Sequence, residues 1–365
     1  MNRTTRLALG LLVAAVYMPA ALGQQYQVTD LGTLGGSISQ ANSNNVFSQV
    51  AGFSTLVGDT ATHAFLWTKR NGMKDLGTLP ILACLTPSGN SSASAINDAG
   101  IVVGVSDFCD PVNGLVSHAF VDIRGQMKDL GTLGGSTAQA NGINVWGQVV
   151  GFSFVPDNSA QHAVLWNRRG IQDLGTLGGT NSQAFGNNIW GQVVGSSDTA
   201  SGSSDPFLWD SKHGMKDLGT LGGMSAQANA INFFGEIVGF SSLLGETATH
   251  AFIYSNGKLT DIGTLGGSFA AATGIDLYGD VVGFSNTTGD ADVHAFIYTR
   301  KGGLQDLNNL IPTNNSCGTG TGWCLNSAQS ISLGEGDDFE PKPARIVGVG
   351  VLNGEQHAFL LTPTH

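Results

Sequence analysis

The chain has 365 residues, a formal net charge of −11, 12% charged and 41% hydrophobic residues, and 53 glycines against 10 prolines. Glycine without a strict period of three excludes collagen, and the apolar share excludes a disordered chain. So acidic a surface repels nucleic-acid phosphate and anionic lipid, which removes both from the candidate partners.

Residues 1–23 read as a signal peptide: Arg3 and Arg6 flank the apolar run LALGLLVAAV (7–16), and Ala21-Leu22-Gly23 offers a small-x-small cleavage site. The run is too short for a membrane span. No later segment is apolar enough either, so an exported protein, secreted or periplasmic, without membrane insertion is expected. Cleavage at 23 takes the charge to −13, because only Arg3 and Arg6 are lost.

From residue 24 onward three phrases recur. The first is HAFLW at 63, with relatives at 118, 162, 250, 294 and 357 and the degenerate DPFLW at 205. The second is DLGTLGG at 30, 129, 173 and 217, with variants at 75, 261 and 306. The third is INVWGQVVG at 143, with relatives at 96, 188, 231 and 275 and a worn copy, NNVFSQVAG, at 44. The period is about 44 residues. Taken in chain order, each unit reads as four short strands. One ends at AQANGIN, QVVGFS follows after an Asn-x-x-Gly turn, HAVLW follows a polar loop, and IQDLG follows a tight turn. Four strands in about 44 residues matches a propeller blade.

The ends are complementary. YQVTDLG (26–32) is a fourth strand without its first three, and HAFLLTP (357–363) is a third strand without a fourth. If the first completes the last unit, residues 24–365 form a single all-β domain, a seven-bladed β-propeller with no open sheet edge.

Within HAFLW the aromatic is expected between neighbouring blades. The histidine is followed 11 or 12 residues later by the aspartate of the next phrase. This pairs His63 with Asp75, His118 with Asp129, His162 with Asp173, His250 with Asp261 and His294 with Asp306. The circular closure pairs His357 with Asp30. Hairpin ends lie close together, so buried hydrogen bonds of structural purpose are expected, since buried polar groups must be paired.

HAFLW, DLGTLGG and INxxGxVVG behind a signal peptide resemble the HAF family of probable extracellular repeat proteins over nearly all of 26–363. The resemblance implies secretion and a repeated β unit; it carries no activity or catalytic residues. The chain departs from the pattern at Asp205-Pro206, over 75–95 and in the last unit.

Length variation collects on one face, in the connections between second and third strands and between units. Scaffolded variable loops commonly carry function, so a ligand site is expected there. Its candidate residues are the acids Asp59, Asp110, Asp157, Asp198, Glu246, Asp290, Asp292 and Glu355, with Trp323 as a sugar-stacking platform. The acids are isolated and match no calcium-loop motif. Cys84 and Cys109 fall on this same face and are expected to pair; Cys317 and Cys324, seven apart, could close a small loop. An exported chain favours disulfides over a metal site.

There is no nucleophile elbow, zinc motif or phosphate loop, and no cofactor or metal is indicated. The leading expectation is a monomeric, non-enzymatic protein binding an extracellular carbohydrate or protein. The alternatives are a propeller hydrolase or lyase acting on polysaccharide, and a structural element of the cell envelope or matrix.

Overall fold

The computed structural model describes residues 25–80, 89–110, 112–312, 317, 322–333 and 344–364; the signal-peptide reading of 1–23 and Cys84 lie outside these. The described chain is all-β and propeller-like. Four four-stranded sheets are separate. A twelve-stranded sheet consists of three successive four-stranded groups joined only by single parallel contacts, Ser204 with Ser225 and Thr249 with Phe269. Among the described residues no helix is long and apolar enough to cross a membrane.

The antiparallel unit 35–77 shows why the sequence folds this way. Strand Gly35–Asn44 pairs with Val50–Leu56, that with Thr62–Thr68, and that with Gly72–Gly77. Glycine at positive φ makes the tight returns, for example Gly72 at +67° after Asn71. Six of the seven units bury the HAFLW phenylalanine completely, and the seventh buries Val164 in its place. Phe65, Phe120, Phe207, Phe252, Phe296 and Phe359 are all 0% exposed, and each such ring contributes roughly 2–3 kcal/mol by leaving water. The clusters around them cross from unit to unit: Phe207 packs with Val150, Ala163 and Leu165 of the preceding unit.

The two ends of the chain meet in one sheet, of order Tyr26–Asp30, Glu355–Pro363, Arg345–Leu352, Trp323–Ser332. Tyr26 lies opposite Pro363 and Asp30 opposite Phe359. This sheet in turn packs on unit 35–77. Val347, Ala358 and Leu360 share a cluster with Ala41, Val50 and Phe65, and the Ala358 N–H donates to Ser39 Oγ at 2.9 Å.

Candidate functional site

The first-to-second-strand hairpin follows one plan in five of the six units where it is described, the sixth having Asp276 in the asparagine's place. The asparagine of the INxxG phrase accepts, through Oδ1, the N–H of residues two and four further on. Asn144 does so from Trp146 at 3.0 Å and Gln148 at 3.1 Å. Its Nδ2 donates to the backbone carbonyl of the equivalent residue in the next unit. The steps run Asn45 to Asn97 (3.0 Å), Asn97 to Asn144 (3.1 Å), Asn144 to Asn188 (3.0 Å), Asn188 to Asn232 (3.3 Å) and Asn232 to Asp276 (3.1 Å). Ser332 Oγ donates to the Asn45 carbonyl at 3.2 Å. An amide suits this post because it both accepts and donates.

With its polar groups spent inward, the hairpin pushes its central residue outward. In five of the six described hairpins that residue is aromatic, Phe47, Trp146, Trp190, Phe234 or Tyr278, between 48% and 68% exposed; in the Asn97 hairpin it is Ala99. The indoles are fixed all the same: Trp146 Nε1 donates to the Ile189 carbonyl at 3.0 Å and Trp190 Nε1 to that of Phe233 at 2.9 Å, each on the neighbouring hairpin. Trp190 also lies 5.2 Å from the Phe233 ring. A fixed, exposed ring offers a stacking face at little entropic cost.

The strand ends leading into these hairpins line one cavity of about 530 Å³, to which the innermost strand of every unit contributes. Asn42, Asn141, Asn229 and Thr273 stand in its wall, each bonded to a carbonyl of the next unit (Ala93, Ala184, Ala272 and Ala328) at 2.7–2.8 Å. Phe185 adds one aromatic. The described lining holds amides, hydroxyls and apolar groups, with no carboxyl or imidazole.

The residues singled out from sequence sit at the opposite ends of these strands, and most are engaged with their own loops. Asp59 accepts from Ser37 N at 2.8 Å and Ser37 Oγ at 2.9 Å. Asp290 accepts from Ser268 N at 2.7 Å and Glu246 from Met224 N. Asp110 binds the Val112 and Asn113 N–H groups, Asp157 the N–H and hydroxyl of Ser159, and Asp198 the Asn181 N–H. These bonds hold four carboxyls below the usual range, led by Thr55 on Asp59, Asn113 on Asp110, Ser159 on Asp157 and Ser268 on Asp290. Trp323 is half-buried, edge-on to Phe359 at 6.1 Å, and packs against the core of its unit.

The structure brings together all six histidine–aspartate pairs. Nδ1 lies 2.9 Å from the carboxylate for His63 with Asp75, 3.0 Å for His118 with Asp129 and 2.8 Å for His162 with Asp173. The remaining three distances are 2.8 Å for His250 with Asp261, 2.7 Å for His294 with Asp306 and 2.9 Å for His357 with Asp30. The pairs are less enclosed than the sequence reading expects, with Asp173 42% exposed. Each aspartate has a second duty that the sequence reading misses. It accepts the N–H two residues on, that of Gly32, Gly77, Gly131, Gly175, Gly263 or Asn308, and so shapes the turn into the next unit. Burial pushes the Asp129 and Asp306 carboxyls up, but the bonds from His118 and His294 and from the turn outweigh it and hold both below the usual range.

In unit 178–217 Asp205 takes the histidine's place, opposite Ser197 as His63 is opposite Ser54. Burial first, and then Asp217 beside it, raise its carboxyl. Cys317 and Cys324 are disulfide-bonded to each other. Cys109 is also disulfide-bonded; its expected partner, Cys84, is outside the described residues.

No protein-family model matches the chain, and no curated protein does. Three solved structures are similar to it at low identity. TolB from Acinetobacter baumannii is 14% identical (TM-score 0.42), with 82% of this chain and 76% of that one covered. A puromycin hydrolase mutant complexed with PGG is 12% identical (TM-score 0.48), with 91% of this chain aligned to only 52% of that one. A mutant of AofleA from Arthrobotrys oligospora is 8% identical (TM-score 0.38), with 94% and 88% covered.

Proposed function

We propose that the chain is an exported, seven-bladed β-propeller of the HAF-repeat kind that binds an extracellular carbohydrate at the rim formed by its INxxG hairpins. The ring is closed by strand Tyr26–Asp30 in the last blade. The observation that carries the reading is the set of five exposed aromatics, on five of the six described hairpins, beside an amide-lined cavity. Aromatic faces take the apolar faces of sugar rings, and amides match hydroxyl groups in donor and acceptor count. A repeated rim suits a repeated ligand, since several weak contacts add through avidity. A cavity lining without acid or base among its described residues favours recognition over hydrolysis. Placing the ligand here moves it away from the variable face, whose acids Asp59, Asp110, Asp157, Glu246 and Asp290 hold their own loops.

The test is affinity electrophoresis of the mature protein through gels containing neutral plant and microbial polysaccharides. At least one should retard it. Trp146→Ala/Trp190→Ala should weaken that retardation at least tenfold, since each stacked ring is worth about 1 kcal/mol. Asp59→Asn/Asp290→Asn, on the other face, should leave it unchanged. Retardation by none of the polysaccharides, or full binding by the tryptophan variant, contradicts the proposal.

A further inference from the structure

One of the six histidine–aspartate pairs differs from the rest. His294 Nδ1 is held by Asp306 at 2.7 Å, whereas its Nε2 is buried without a hydrogen-bond partner. No other histidine nitrogen among the described residues is left so. Sulfur lies near this ring: one ring nitrogen of His294 and the sulfur atoms of Cys317 and Cys324 all lie within 4.8 Å of one another. The two sulfurs are joined in a disulfide, and both cysteines are part-exposed. The Asp306 hydrogen bond raises the His294 imidazole above its usual value, against the opposing effect of burial and with help from Asp292. Blade-building does not require this arrangement, because the other five pairs do without it.

We propose that His294 and the Cys317–Cys324 disulfide form a thiol–disulfide exchange site for small dithiols, with Asp306 as a positioning residue. In the first step a thiolate of the dithiol attacks one of the two sulfurs. A bond forms between the dithiol and that cysteine, the Cys317–Cys324 bond breaks, and its electron pair leaves on the other cysteine as thiolate. A protonated imidazole beside that sulfur stabilises the departing charge, and Nε2–H can pass it a proton. Lowering the basicity of the leaving thiol speeds exchange. In the second step the dithiol's other thiolate attacks its own mixed-disulfide sulfur and frees the second cysteine. The dithiol ends as a cyclic disulfide, oxidised by two electrons. The protein gains those electrons and two protons as two thiols. Asp306 fixes the ring so that Nε2 faces the sulfurs, as a carboxylate commonly orients an imidazole from its far side.

The experiment is timed reduction of the mature protein by dithiothreitol, with alkylation and mass mapping of the 317 and 324 thiols. At pH 7 the wild-type disulfide should open at least tenfold faster than in His294→Asn. His357→Asn breaks an equivalent pair elsewhere and should match wild type. In wild type the rate should rise less steeply than dithiol ionisation once the imidazole deprotonates. That break should vanish in His294→Asn and move to lower pH in Asp306→Asn. The proposal is overturned if His294→Asn opens within twofold of wild type, if His357→Asn slows it equally, or if the wild-type profile follows dithiol ionisation alone.

Discussion

Asp276 stands where five other units carry asparagine, and an aspartate cannot donate a hydrogen bond unless it is protonated. Its Oδ1 keeps the capping role, accepting from Tyr278 N at 2.8 Å and Asp280 N at 2.9 Å. Its Oδ2, in the position of the donating amide, is buried and unpaired. Burial, and then the neighbouring Asp280, push the carboxyl up to about 7; burial first, and then Asp280 and Asp276, raise the Tyr26 hydroxyl beyond the ordinary range. Burial raises Asp280 as well, against the opposing pull of Arg300, which pairs with Glu236 on the neighbouring hairpin. A carboxyl raised on folding contributes stability that is complete below its unfolded value of 3.8 and is lost as pH climbs to about 7. The loss amounts to something on the order of 4 kcal/mol. Asp276→Asn restores the donor. It should therefore be more stable than wild type at pH 8 by a few kcal/mol, and the pH dependence between 4 and 7 should flatten in denaturant titrations. A variant less stable than wild type at pH 8 would show that Asp276 is paired in some other way.

At the level of strands, the glycine of the VVG phrase is the most informative position. Each innermost strand carries a bulge, such as that between Ala228 and Ala230, at which the partner register shifts by one residue. The bulge brings the Gln227 carbonyl oxygen against Gly239, where a Cβ would overlap it, and Gly52 and Gly151 meet Gln40 and Gln139 in the same way. Because the obstacle is backbone, Gly239→Ala should cost about 3 kcal/mol. Gly257→Ala, in an open turn where a Cβ meets nothing, should cost only its positive-φ strain, roughly 1 kcal/mol. Equal losses in thermal melts would contradict the bulge argument. The repeat period is legible because three phrases recur, and the strand order within a unit and five of the histidine–aspartate pairs because they depend on hairpin-range spacing; His357 with Asp30 is legible only through the complementary ends of the chain. The bulge is not, since small apolar and polar residues alternate straight across it, as in AQANA at 226–230, without the phase break an extra residue would be expected to leave. The aromatic rim is visible in the sequence as FS, WG, WG, FG and YG inside one recurring phrase. Its meaning is not, because only packing decides that the asparagine turns inward and the ring outward. Loop-length variation draws attention to the other face, where Asp59, Glu246 and Asp290 turn out to cap local backbone.

Over the whole molecule, the proposed function requires the hairpins to stand in a closed ring, since a rim of aromatics exists only if consecutive units keep their places. Strand Tyr26–Asp30 carries that demand. It contributes Tyr26, 1% exposed, the Asp30 partner of His357, and, just beyond it, Leu31 at 4%. Without it, Glu355–Pro363 becomes an open edge. Val347, Ala358 and Leu360 would also lose one of the neighbours that join the last unit to the first. The most direct measurement compares thermal unfolding of residues 24–365 with that of 33–365. The closed-ring account predicts a midpoint lower by roughly 10 °C or more for the shorter chain, the equivalent of several kcal/mol in a domain of this size. Equal melting of the two chains would mean that the strand is an ornament and the ring is closed by something else.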